Sequence, residues 1–286
     1  MSAETGNTNI IHTVEEMRAF ALKAKARGKK IGLVPTMGAL HEGHLSLIRL
    51  AALENDIVIV SIFVNPIQFD DPNDFSSYPK TLKADAEAST GAGAGVLFVP
   101  SADEIYPDGH STFIDMTGLS EQLCGASRPS HFRGVLTVVG KLFGICLPDF
   151  AYFGEKDAQQ LAVVRKMTAE LNMNVEIRGC PTIREEDGLA MSSRNGRLSA
   201  DERTAARCLN LSLKETSALF NAGETSSDIL KAALRSAIDK EPLACIEYAD
   251  IVDPLTFEPV SAARKGDLLA VAAYIGDVRL IDNQSL

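Results

Sequence analysis

The chain has 286 residues, enough for roughly two domains of ordinary size, and its 45% hydrophobic and 23% charged residues exclude intrinsic disorder and fibrous repeats. A formal net charge of −10 would be repelled by a nucleic-acid backbone or an anionic membrane, and no apolar run approaches the roughly 18 residues that a spanning helix needs. Neither nucleic acid nor membrane is expected as a partner. Residues Met1 to Asn7 lack a basic cluster followed by an apolar core, so they are read as no secretory signal and a cytoplasmic location is expected. Cys124, Cys146, Cys180, Cys208 and Cys245 are widely spaced and form no C-x-x-C pair, which predicts reduced thiols buried in the core.

In chain order, helical spacing of apolar residues predicts helices over 14–27, 44–54, 82–89, 134–147 and 157–171. Between them, short apolar and β-branched runs predict strands over 30–35, 56–64, 95–100, 149–154 and 175–180. Such alternation builds β-α-β units and a mostly parallel sheet, whose strands are covered on both faces. Gly91, Gly93 and Gly95 precede a strand rather than follow one, so they read as a loop and not as a dinucleotide fingerprint. After about Asp187 the pattern changes. Ser199 and Glu202 form a capping box opening a helix toward Phe220, a second helix is expected over 227–241, and strands over 245–252, 268–275 and 278–281. Gly276 and Asp277 make the two-residue hairpin turn between the last two. The expected division is an α/β domain over 1–186 and a smaller α+β domain over 187–286.

Four stretches carry chemistry. The first runs from the buried strand through Pro35, Thr36, Met37, Gly38, Ala39 and Leu40 to His41, Glu42, Gly43 and His44. Three-residue spacing on a helix would point both imidazoles toward the carboxyl edge of the strand, where unpaired N–H groups and the helix dipole favour phosphate. Gly43 would let a base or ribose come close to the backbone. A zinc-protease pair needs histidines four apart, so metal ligation is not expected here; two satisfied core histidines are the competing reading. The second stretch, Gly154, Glu155, Lys156, Asp157 and Gln160, again follows a strand: Gly154 permits a tight turn, Lys156 offers a mobile charge and Asp157 an N-cap, although a lone lysine there also suits solvent. In the third, Met191, Ser192, Ser193, Arg194 and Asn195, small hydroxyls beside an arginine suit phosphate oxygens or a capped turn. The fourth, Asn65, Pro66, Ile67, Gln68 and Phe69, offers neutral amides for a hydroxyl or carboxylate. All four sit near carboxyl ends of strands or at the domain junction, where open α/β sheets bind ligands.

In this order, P-T-M-G-A-L-H-E-G-H, N-P-I-Q-F, F-G-E-K-D-x-Q-Q and D-G-L-A-M-S-S-R-N resemble the pantothenate synthetase (pantoate–β-alanine ligase) family, within the wider H-x-G-H nucleotidylyltransferase superfamily. The resemblance extends through the stretch from Arg128 to Gly134 and the closing stretch from Gly276 to Asn283. It implies a Rossmann-like sheet domain with a smaller α+β lid, and an ATP-dependent ligase that makes pantothenate, AMP and pyrophosphate through a pantoyl adenylate. It also implies a homodimer and Mg²⁺ with the ATP. Carried over by position, Pro35, Thr36, Met37, Gly38, His41 and His44 would line the ATP site, with His44 as proton donor and His41 on the phosphates. Lys156, Arg194, Met191, Ser192 and Ser193 would grip the triphosphate. Gly154, Asp157 and the Ile183 backbone would hold ribose and adenine, and Glu155 would also line the ATP site. Gln68, Gln160 and Asn65 would bind pantoate, with Gln68 also beside β-alanine, and Asp85 matches one acidic metal position while Ala84 and Ala88 depart from it. A hinge near 186–188 is expected. The alternatives are a nucleotidylyltransferase of the same superfamily that leaves AMP on its product, and a nucleotide-binding module without turnover.

Overall fold

The computed structural model describes residues 9–70 and 72–286; Met1 to Thr8, the stretch expected to hold no secretory signal, and Asp71 lie outside the described residues. The strands are β1 (Asn9–Ile11), β2 (Ile31–Thr36), β3 (Ile57–Ile62), β4 (Val96–Phe98), β5 (Phe150–Gly154), β6 (Glu176–Cys180), β7 (Ala244–Val252), β8 (Leu268–Ile275) and β9 (Val278–Ser285). The helices are α1 (Val14–Ala26), α2 (Glu42–Glu54), α3 (Pro72–Ser76), α4 (Leu82–Gly91), α5 (Ala102–Ile105), α6 (Leu123–Ser127), α7 (His131–Cys146), α8 (Ala158–Glu170), α9 (Ala200–Asn221) and α10 (Ser227–Ile238). The chain divides into two compact units. One takes residues up to 115, 130–154 and 164–180; the other takes 116–129, 155–163 and 181–286.

The first unit is an α/β fold built on a six-stranded sheet in the order β1-β4-β3-β2-β5-β6, with every neighbouring pair parallel. Strand order runs one way from β2 through β3 to β4 and the other way from β5 to β6. The crevice at the carboxyl ends of β2 and β5 is therefore the topological switch point, the usual ligand position of such sheets. Buried Val34, Val58, Val60, Ile62 and Leu97 of the sheet pack with Leu47, Ile48 and Ala51 of α2 in one apolar cluster. Each of these Val, Leu and Ile side chains contributes about 1.5–3 kcal/mol on burial, so α2 is fixed at its apolar face. The largely buried α7 packs with α1. β1 escaped the sequence reading because three residues are too few to show periodicity; it is defined by its register with β4.

The second unit carries an antiparallel sheet in the order β7-β8-β9, with Gly276 (φ +56°) at the β8–β9 turn. Its core forms where Ala205, Ala206, Leu209 and Leu213 of α9 join Leu230, Leu234 and Ile238 of α10 against Leu269, Val271 and Ala273 of β8. Strand β9 continues to Ser285, beyond the expected end, because its later residues alternate between faces while pairing with β8 to Leu268. One expectation is corrected. Cys124, Cys146 and Cys180 are buried free thiols, but Cys208 is only half-buried and Cys245 is exposed. Cys245 pairs in register with Tyr274, itself 41% exposed, so both project from the outer face of the sheet.

Candidate active site

In the first unit, β2 ends at Thr36, whose hydroxyl donates to Ser61 O at 2.7 Å and accepts the Gly38 amide at 3.2 Å. Gly38 has φ +84°, and a Cβ there would sit 3.1 Å from both Asp85 Oδ2 and Ile62 Cγ2, so the turn requires glycine. Ala39 follows, also left-handed at φ +50°. The conformation is held by Asp85, only 3% exposed, whose carboxylate accepts the Ala39 amide at 3.0 Å, the Leu40 amide at 2.8 Å and the Thr81 hydroxyl at 3.1 Å. Three donors thus occupy both oxygens of the side chain matched to a metal position.

The helix begins two residues earlier than its periodicity predicts. His41 is its extended N-cap, with a carbonyl that accepts the His44 amide at 2.8 Å and the Leu45 amide at 3.1 Å. The two imidazoles are neighbours, 4.1 Å between centroids and 42° apart in plane, but through a cap and the first turn rather than one helical face. His41 N–H donates to His44 Nδ1 at 3.3 Å, which leaves the proton of a neutral His44 ring on Nε2.

The turn Pro66–Gln68 is a 3-10 turn packed on α7. Gly134 makes that approach possible: a Cβ there would come within 2.6 Å of Ile67 O and Gln68 Cα. Asn65, 1% exposed, donates through Nδ2 to Gln68 Oε1 at 2.8 Å and Gly134 O at 3.1 Å, and accepts the Tyr106 hydroxyl at 2.8 Å. Gln68 Nε2 reaches Met37 Sδ at 3.1 Å, so the amide and the β2–α2 turn meet. The resemblance gave no part to Tyr106; only its side-chain bond reveals it.

In the second unit, Glu155, Lys156 and Asp157 form a 3-10 turn directly before α8. Asn283 of β9 clamps it, donating to Glu155 O at 3.0 Å and Lys156 O at 2.8 Å. Gln160 is half-buried on the first turn of α8, whereas its neighbour Gln159 is buried and tied to Leu119 O, Gln122 O and the Cys124 amide. Ile183 O accepts the Met191 amide at 3.0 Å, closing a hairpin whose tip is Gly188 at φ +91°. Ser192 caps the 3-10 turn Ser193–Arg197 by accepting the Arg194 amide at 3.2 Å. Behind it, Asn195 donates to Glu185 Oε1 at 2.7 Å, and Arg203 of α9 grips Glu185 at 2.5 Å and Asp187 at 3.0 Å. The Arg203 guanidinium holds the Glu185 carboxyl below its ordinary range. Arg184 makes a two-pronged pair with the buried Asp282 at 2.7 and 2.9 Å. The closing motif of the sequence therefore supplies Asn283, an anchor for the stretch around Lys156, and Asp282, which holds Arg184 in the hairpin that leads into the stretch around Arg194.

Among the described residues no group of three or more His, Cys, Asp or Glu side chains could hold a metal ion, and no helix is long and apolar enough to cross a membrane.

Comparison with known proteins gives a consistent result. A family model described as pantoate-beta-alanine ligase matches residues 9–285. The pantothenate synthetase of Geobacter sulfurreducens is 53% identical over 274 residues, covering 96% of this chain and 97% of that one; that of Clostridium acetobutylicum is 52% identical, covering 96% and 98%. Among solved structures, pantothenate synthetase from Thermus thermophilus superposes with a TM-score of 0.92 at 41% identity, covering 97% of this chain and 99% of that one. Pantoate-beta-alanine ligase from Francisella tularensis, complexed with beta-gamma ATP and beta-alanine, gives 0.79 at 36%, covering 97% of each chain.

Proposed function

The chain belongs to the pantoate–β-alanine ligase family and is a ligase that condenses pantoate with β-alanine using ATP, and from that premise we propose that the reaction runs through an enzyme-held pantoyl adenylate. The pantoate carboxylate attacks the α-phosphorus of ATP, forming a carboxyl–phosphate bond as the bond to pyrophosphate breaks. The β-alanine amine then attacks the acyl carbon and expels AMP. Negative charge builds on the equatorial oxygens and on departing pyrophosphate in the first step, so fixed donors and cations there lower the barrier.

In this reading Pro35, Thr36, Met37 and Gly38 border the nucleotide, and His41 and His44 address the phosphates. What carries it is the paired imidazoles, 4.1 Å apart at the carboxyl end of β2, with the His44 Nδ1 already engaged and Nε2 carrying the proton. Lys156 and Arg194 supply permanent charge to the triphosphate, with Ser192, Ser193 and Met191 beside Arg194; Gly154, Glu155, Asp157 and Ile183 serve the nucleoside. Gln68 and Gln160 are the pantoate amides, and Gln68 also meets β-alanine. Residues 187–286 serve as the lid that keeps water from the adenylate, hinged near 186–188.

Mg²⁺ is proposed to arrive with ATP, held by triphosphate oxygens and water, as is usual for this ion. Among the described residues none form a protein cage for it, and Asp85 is spent on the Ala39 and Leu40 amides. A homodimer and a cytoplasmic location complete the proposal.

The test is exchange of labelled pyrophosphate into ATP without β-alanine. Pantoate-dependent exchange is expected; exchange that is absent or indifferent to pantoate would overturn the adenylate route. With all three substrates, AMP should appear free in solution, whereas AMP retained on the product would turn the reading to nucleotidylyl transfer.

A further inference from the structure

Tyr106 follows α5 and takes no part in the reaction as proposed, yet its hydroxyl ends a chain of side-chain hydrogen bonds that leads to Gln68. The polarity of that chain follows from one fixed acceptor. Gly134 O can only accept, so the Asn65 atom 3.1 Å from it must be the amide nitrogen. Asn65 Oδ1 then faces Tyr106, which must donate, and the Gln68 atom facing Asn65 Nδ2 must be Oε1. Both N–H groups of Asn65 are consumed by protein acceptors, so this buried amide has no donor to give a substrate. Burial pushes the Tyr106 hydroxyl well above its ordinary value, which keeps it a donor throughout the neutral range.

We propose that Tyr106 is a positioning residue for pantoate: with Gly134 O setting the orientation of Asn65, the Tyr106 hydroxyl pins that amide from its other side and so holds the Gln68 NH2 group toward Met37, where Gln68 offers donors to a carboxylate or hydroxyl oxygen. The inference rests on reading Gln68 as a pantoate-binding amide. The Gln68 backbone is held separately, by His131 Nδ1 on Gln68 O at 2.9 Å and by the close packing on Gly134, so loss of the phenol hydroxyl loosens the amide and not the turn. The Tyr106 ring itself packs near Phe63 and His110, contacts that phenylalanine would keep.

The experiment compares Tyr106→Phe, Gln68→Ala and the double variant in the full-length enzyme, measuring KM for each substrate, kcat and thermal unfolding. Loss of one hydrogen bond predicts a rise of about fivefold to tenfold in the pantoate KM for Tyr106→Phe, with the ATP KM within about twofold. In the double variant the Tyr106 change should add nothing to the pantoate penalty of Gln68→Ala. Additive penalties, or a loss shared equally by all substrates with a lowered unfolding temperature, would overturn the positioning role and leave the Gln68 reading standing. An unchanged pantoate KM in Gln68→Ala would remove that reading and the inference with it.

Discussion

Two segments proposed to face phosphate, the β2–α2 turn and the segment from Arg184 to Arg197, are both anchored by carboxylates, but in opposite ways. Asp85 is buried and accepts backbone amides of the very residues it orders, Ala39 and Leu40. Glu185 and Asp187 are about a quarter exposed and hold a side chain, Arg203, which shares Glu185 with Asn195. A buried acceptor of backbone donors is costly to remove and insensitive to salt, because the orphaned amides cannot reach water. A partly exposed ion pair contributes less and is screened. The difference assigns the first segment to a preformed cradle and makes the second responsive to solvent conditions.

The largest effect sharpening this contrast belongs to the cradle's own donor. His44→Ala should slow pantoate-dependent pyrophosphate exchange by about 10²–10³, roughly 2.7–4 kcal/mol, with the fold intact by circular dichroism. Near-normal exchange would remove His44 from the chemistry. Next, Asp85→Asn sets an NH2 group against one of two buried backbone donors and should cost about 1–3 kcal/mol in denaturant unfolding, equally in low and high salt. A loss that disappears in high salt would place Asp85 in the same class as Glu185 and break the comparison.

The smallest effect is at Glu185. Glu185→Gln should destabilise by about 1 kcal/mol at neutral pH and low salt, less in 1 M salt. The sign with pH follows from a carboxyl held below its ordinary 4.5: its contribution is present above that value and is lost as pH falls through the folded-state value. Wild type and variant should therefore converge in acid and separate toward neutrality. Divergence on acidification would contradict the ion-pair account.

The parallel sheet and its helices were legible because buried strands and amphipathic helices print their period on the sequence: β2, β3, β5 and β6 lie where the apolar runs stand. Boundaries were less legible where capping decides them. His41 lies outside α2, although three-residue spacing alone places it on the helix, because an N-cap takes extended dihedrals that periodicity does not encode. The stretches proposed to carry the chemistry stand out as motifs, but not what holds them. Tyr106 lies 41 positions from Asn65 and Asn283 lies 127 from Lys156, and such contacts exist only once the chain is folded. Cys245 shows the limit of a residue-type rule, since the face on which a cysteine falls depends on register with Tyr274.

The most direct test of the account is a crystal structure of the protein with a non-hydrolysable ATP analogue. The account predicts a phosphate oxygen about 3 Å from His44 Nε2, with His41 beside it and Asp85 still on the Ala39 and Leu40 amides. A triphosphate bound away from the β2–α2 turn, with both imidazoles making no phosphate contact, would contradict it.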